Sequence, residues 1–136
     1  SRRIRAGSGT YPATTLSASC VLVDTSIWVD HLRRSHKGLI DLLEDGVVVC
    51  HPFIVGELAC GNLSNRAEIF NLLKALPSLE PVSTEEVLYF VEVNESMGRG
   101  LGYVDVHLLA SAQLAEARVW TKDRRLRDVG RDLGLI

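Results

Sequence analysis

The stretch Val21-Leu22-Val23-Asp24-Thr25-Ser26-Ile27-Trp28 decides how the chain is read, because three apolar residues run straight into a carboxylate and two hydroxyls. An apolar run without alternation suits a strand covered on both faces. Thr25 and Ser26 then offer a side-chain oxygen to cap a following helix, which leaves Asp24 in the turn between the two elements. In open α/β sheets that turn lies at the carboxyl edge of the strands, where ligands bind. Function therefore depends on whether other acids reach the same edge.

Outward from this stretch, strand and helix patterns alternate. Residues 25–34 read as a short helix with Ile27, Trp28 and Leu32 on one side, residues 39–44 as another turn or two stopped by Gly46, and residues 47–50 as a second buried strand. His51-Pro52 opens a helix that runs to Gly61 and carries Glu57, since proline is tolerated at the first helical position. Asn65 with Glu68, and Ser83 with Glu86, have the spacing of capping boxes ahead of two more helices, the second ending near Gly98. Between them, residues 79–82 suggest a short strand that Pro81 confines to an edge. A flexible turn at residues 98–102 leads into Tyr103-Val104-Asp105-Val106-His107-Leu108-Leu109-Ala110-Ser111-Ala112, a core helix with Asp105 in its first turn. Residues 118–121 form a further strand, Lys122-Asp123 lies just past its carboxyl end, and a last helix begins at Arg124. Such alternation, with connections long enough for right-handed crossovers, predicts an α/β fold, a three-layer α/β/α sandwich around a mainly parallel central sheet.

The bulk numbers agree with one globular domain. There are 136 residues, 46% of them apolar, with a net charge of -2. A chain of this size buries roughly two thirds of its unfolded surface, so neither a disulfide nor a structural metal is required. Cys20, Cys50 and Cys60 are odd in number and far apart, and read as small buried hydrophobes in a reducing compartment. No apolar run approaches the ~18 residues of a membrane span, and no leader pattern is present, so no membrane partner and a cytoplasmic location are expected. Residues 1–19 are rich in Ser, Thr, Gly and Ala without periodicity, and are expected to be a disordered tail or an expression remnant, with the domain over residues 20–136.

Charge distribution matters more than the total. Residues 1–19 carry three arginines and no acid, and residues 118–131 carry six cations against two acids, for +4. A basic strip beside an acidic pocket suits a polyanionic substrate held by metal. A solvated helix face is the plainer reading of the same strip.

Four acids occupy comparable positions. Asp24 follows the first strand, Glu57 lies on the helix after the second, Asp105 opens a helix, and Asp123 follows the last strand. In a parallel sheet all four fall near one edge. Carboxylates so close raise each other's pKa unless a cation sits among them. Hard divalent ions with oxygen ligands, Mg²⁺ or Mn²⁺, are the natural occupants. Such an ion activates a bound water for in-line attack on a phosphodiester. Each acid alone has an ordinary role open to it: Asp24 and Asp105 can serve their helix N-termini, and Asp123 a loop or cap. Glu57 is harder to dismiss, because its helix reads as largely buried, where an unpaired charge is expensive.

In order and spacing, V-L-V-D-T-S-I-W-V-D-H, G-E-L-A-C-G, D-V-H-L-L-A-S-A and W-T-K-D-R-R-L resemble the PIN-domain ribonucleases, specifically VapC toxins of bacterial toxin–antitoxin pairs. The resemblance spans residues 21–133. It implies that Asp24, Glu57, Asp105 and Asp123 are the acidic quartet, with Asp24 and Asp105 the most direct Mg²⁺ ligands. It gives Thr25 or Ser26 a hydrogen-bonding role beside the ion. It also implies cleavage of single-stranded RNA, a homodimer, and inhibition by a VapB-type antitoxin. Lys122, Arg124 and Arg125 are then candidate RNA-binding residues. Residues 1–19 have no family counterpart, and a terminal strand common in the family is expected to be missing or very short. His107 is assigned to packing or the surface, two residues beyond Asp105 on a helix.

Other classes fit less well. A phosphatase of the haloacid dehalogenase type needs D-x-D, and the position two after Asp24 is Ser26. A receiver domain needs a phosphorylatable aspartate after a strand, where this chain has Cys50-His51. A catalytically silent binding module of the same fold remains the alternative of a different class.

Overall fold

The computed structural model describes residues 4–6, 20–94 and 100–136. Most of the expected tail, the end of the helix near Gly98 and the first part of the turn at residues 98–102 lie outside the described residues. The elements run β1 (Ile4–Ala6), β2 (Val21–Val23), α1 (Thr25–Arg33), α2 (Lys37–Glu44), β3 (Val48–Val49), α3 (Pro52–Cys60), α4 (Arg66–Ala75), β4 (Pro77–Leu79), α5 (Thr84–Val93), α6 (Tyr103–Ala115), β5 (Arg118–Trp120) and α7 (Arg124–Asp132).

β2 is the middle strand of a parallel sheet, with Val21 beside Val48 of β3 on one side and beside Arg118 of β5 on the other. Leu22 and Val23 are fully buried, as the unbroken apolar run requires. Beyond β3 the sheet is extended by β4: the Cys50 N–H donates to the Pro77 carbonyl, and the Leu79 N–H donates to the Cys50 carbonyl, both at 2.8 Å. β1 pairs antiparallel with the far side of β4, so residues 4–6 of the expected tail form the outermost strand. The short strand expected over residues 79–82 is thus shifted to Pro77–Leu79 and lies inside the sheet. Pro77 is tolerated there because it is the first residue of the strand, and its carbonyl still accepts a bond. On the opposite side, the Val119 N–H donates to the Leu135 carbonyl at 2.8 Å, so the last residues contribute a backbone bond instead of a strand.

Local chemistry sets most helix ends. At the end of α2, Gly46 takes φ +72°, where its N–H reaches the Leu43 carbonyl and the Val47 N–H reaches that of Leu42. Ser83 and Glu86 close the expected capping box on α5. Asn65 makes no side-chain cap on α4, because its backbone (φ −110°, ψ 51°) lies outside the extended region from which a cap oxygen reaches the first turn. Of the three cysteines, Cys20 and Cys50 are buried as expected, whereas Cys60 is exposed at the end of α3.

α6 is buried from Val106 through Ala112, consistent with its small and apolar sequence. It is tied to α3 through His51, which the sequence left as a mere lead-in to Pro52. The buried His51 Nδ1 accepts the Phe53 N–H at 3.0 Å and so caps α3. The tautomer is thereby fixed: Nε2 carries the proton and donates to Ser111 Oγ, 3.0 Å away on α6. Burial, with a smaller contribution from the neighbouring His107, lowers the His51 pKa to about 4. Ser111→Ala strands that buried N–H and is expected to destabilise the fold by about 1–3 kcal/mol. An unchanged urea midpoint would show that the bond carries no stability.

Candidate active site

Asp24 stands at the carboxyl end of β2, its own N–H bonded to the Trp120 carbonyl at 2.9 Å, and its residue is only 6% exposed. It is also the N-cap of α1, which corrects the assignment of that role to Thr25 or Ser26; both sit inside the first turn. Three bonds converge on one carboxylate oxygen. Asp24 Oδ2 accepts the Thr121 hydroxyl at 2.7 Å, the Ser26 hydroxyl at 2.9 Å and the Ser26 N–H at 3.4 Å. Among the described residues Oδ1 accepts none. Capping therefore leaves Oδ1 open.

The two hydroxyls also lock the β5–α7 turn onto the β2–α1 turn. Thr121 Oγ1 accepts the Asp123 N–H and Ser26 Oγ accepts the Lys122 N–H, each at 3.0 Å. Both hydroxyl protons are committed to Asp24, so the 3.3 Å approach of Ser26 Oγ to Thr121 Oγ1 is a close contact and not a further bond. Asp123 caps α7 through Oδ1, which accepts the Leu126 N–H at 3.0 Å. Thr121 is a residue of the candidate site that the sequence reading missed. Its signal was present in W-T-K-D: a hydroxyl at a strand end, two residues before an acid, forms a turn with that acid's N–H.

Glu57 Oε1 accepts the Thr25 hydroxyl at 2.7 Å, joining α3 to α1. Contrary to expectation Glu57 is exposed, because α3 buries Ile54 and Leu58, one turn apart, and turns Gly56 and Glu57 outward. Asp105 sits in the first turn of α6 and is half-buried. Burial first, and then the charges of Asp24, Asp123 and Glu57, together raise its pKa from 3.8 to about 6. Asp24, Asp123 and Glu57 are therefore each within electrostatic reach of Asp105. The nearest cation in sequence does not relieve this repulsion, because Lys122 Nζ bonds to Asp30 instead.

The residues from 21 to 132 match the sequence pattern of the PIN domain. The chain belongs to the PIN domain family. Similar curated proteins are Ribonuclease VapC32 of Mycobacterium tuberculosis strain CDC 1551 / Oshkosh and the same-named protein of strain ATCC 25618 / H37Rv. Each is 44% identical over 108 residues, which span 79% of this chain and 87% of the relative.

Among the described residues of this PIN domain, no three acids stand close enough together to form a ready-made ligand set. Mg²⁺ does not require one, since it keeps several waters and binds through one or two carboxylates. Asp24 Oδ1 and Asp105 are suited to such an ion: both offer hard oxygen, and added positive charge relieves the repulsion on Asp105. His107 is buried against the rings of Phe53 and Tyr103, at 4.8 and 4.5 Å between centroids, and contributes nothing to the shift of Asp105. Arg124 and Arg125 are exposed on the first turn of α7, and Arg125 lies across the backbone of Gly100, just ahead of α6.

Proposed function

We propose that this PIN domain is a Mg²⁺- or Mn²⁺-dependent endoribonuclease, the toxin of a type II toxin–antitoxin pair, held inactive by a VapB-type antitoxin. The single observation that carries the reading is Asp24, gripped through Oδ2 with Oδ1 free, together with an Asp105 whose pKa is raised by burial and then by the charges of Asp24, Asp123 and Glu57. A bound divalent ion supplies water of lowered pKa and stabilises the charge that develops on the scissile phosphate. Asp24 and Asp105 hold the ion, Thr121 and Ser26 fix the direction of Asp24, and Thr25 fixes Glu57. Glu57 and Asp123 would add negative charge around such an ion and would be the chain's own proton acceptors there.

The same proposal includes a homodimer and a cytoplasmic location. Exposed apolar side chains on α5, Leu88, Tyr89 and Val93, together with Leu114 on α6, suit pairing of copies. Among the described residues no helix is long and apolar enough to cross a membrane.

Proton and ion compete for Asp105. Affinity for Mn²⁺ is expected to fall about tenfold per pH unit below pH 6, and to level off above it, as one proton is displaced on binding. Calorimetric titrations between pH 5 and 8 check this, and a flat profile would remove Asp105 from the ligand set. Cleavage of single-stranded RNA in Mg²⁺ tests the activity itself, and a chain that binds RNA without cutting it would be a silent binding module.

A further inference from the structure

The sequence pointed to Lys122, Arg124 and Arg125 for RNA contacts, and the structure gathers Lys122 with Arg33, Arg34 and His36 instead of with those two arginines of α7. Beyond the acids, the end of α1, the start of α2 and the β5–α7 turn enclose a cleft of about 420 Å³, lined by Asp30, Arg33, Arg34, Ser35, His36 and Lys122. Three permanent cations face one carboxylate there. Among the described residues neither Arg33 nor Arg34 has an ion-pair partner, and both are exposed. The cleft is joined to the acidic centre in two ways. Arg33 also lines the neighbouring cleft that contains Thr25 and Glu57. Lys122 is adjacent to Asp123, and its N–H bonds to Ser26 Oγ, the hydroxyl that holds Asp24.

Asp30 marks what the cleft prefers. Its carboxylate accepts from Lys122 Nζ, and His36 and Arg33 add to the positive surroundings that hold it charged below the usual carboxylate range. An anion is already seated among these cations, supplied by the chain itself.

Resting on the ribonuclease reading, we infer that Arg33, Arg34, His36 and Lys122 form a phosphate subsite for the RNA backbone beside the scissile bond, with Asp30 as its intrinsic competitor. A phosphodiester that enters the cleft takes Lys122 from Asp30. Asp30 thereby weakens RNA binding at Lys122, the cation of the β5–α7 turn. Recognition is of backbone charge and carries no base preference.

The test is fluorescence anisotropy with a labelled single-stranded 12-nucleotide RNA in excess chelator, so that binding is read without cleavage. Arg33→Gln with Arg34→Gln is expected to weaken binding about tenfold and to flatten the slope of log affinity against log salt by about 1.4, or ~0.7 for each phosphate that is no longer neutralised. Arg118→Gln with Arg131→Gln removes equal charge elsewhere on the surface and is expected to change the slope far less. Asp30→Asn is expected to tighten binding several-fold. Asp41→Asn, which frees Lys37 from a comparable exposed pair, is the matched control and is expected to leave binding unchanged. Equal behaviour of each variant and its control overturns the subsite while leaving the ribonuclease reading intact. A wild-type protein that neither binds nor cuts RNA overturns both.

Discussion

Asp24→Asn is expected to reduce RNA cleavage by more than about 100-fold in a protein that still folds. The loss should exceed the 10–100-fold typical of residues that only support a metal ligand, because this change reaches the ligand itself. The fold should survive, since asparagine caps helices as well as aspartate does. Its carbonyl can keep the bonds now made by Thr121 and Ser26 to Oδ2. Its amide then occupies the place of the free Oδ1 and presents hydrogens where an ion needs a lone pair. Cleavage assays beside a urea melt separate the two effects. Activity within a few-fold of wild type would remove Asp24 from the chemistry.

The second large effect is one of stability, and its sign is unusual for an active-site change. Asp105 has its folded pKa raised from 3.8 to about 6. The folded state therefore holds that proton more tightly than the unfolded chain. This contribution is fully present below pH 3.8 and is lost as pH rises through 6. At pH 7.5 without metal, ionised Asp105 opposes folding. Asp105→Asn should then stabilise the metal-free protein by about 1–3 kcal/mol at pH 7.5 while abolishing cleavage. His51 acts in the opposite direction. Its folded pKa is lowered from 6.5 to about 4, so its contribution is present above pH 6.5 and is lost as pH falls through 4. In the wild type the two trends offset each other between pH 4 and 6, and in Asp105→Asn only the loss on acidification should remain. Urea unfolding across pH 4 to 8 reads both, and a variant less stable than wild type at pH 7.5 would contradict the account.

The parallel sheet was legible in the sequence because its strands are short apolar runs bounded by acids, glycine or proline. β2, β3 and β5 fall where such runs do. β1 and β4 were harder to read. Their pairing is a long-range backbone contact, between residues 4–6 and 77–79, that no local pattern encodes. The His51-Pro52 start likewise predicted α3, but its apolar composition misjudged the exposure of Glu57, because an apolar stretch does not reveal which face meets the core.

The four acids were legible as a set because each follows a strand, opens a helix or, for Glu57, lies on the helix that follows a strand. Their supporting bonds were less so. Thr121 and Asp30 act across 97 and 92 residues of sequence, on Asp24 and Lys122 respectively. Spacing along one helix or strand does not display such contacts. The cap of α1 shows the same limit on a smaller scale. Asp24, Thr25 and Ser26 are all competent caps, and only the backbone at Asp24 (φ −71°, ψ 159°) selects among them.

The central claim is that an ion held by Asp24 and Asp105 drives the cleavage of RNA. Its most direct test is the cleavage of a single-stranded RNA by purified protein in excess chelator, then after Mg²⁺ or Mn²⁺ is restored, with Asp24→Asn alongside to reveal any contaminating nuclease. The expected result is no cleavage in chelator and recovery in the wild type alone. Cleavage that persists in chelator, or that Asp24→Asn matches, would contradict it.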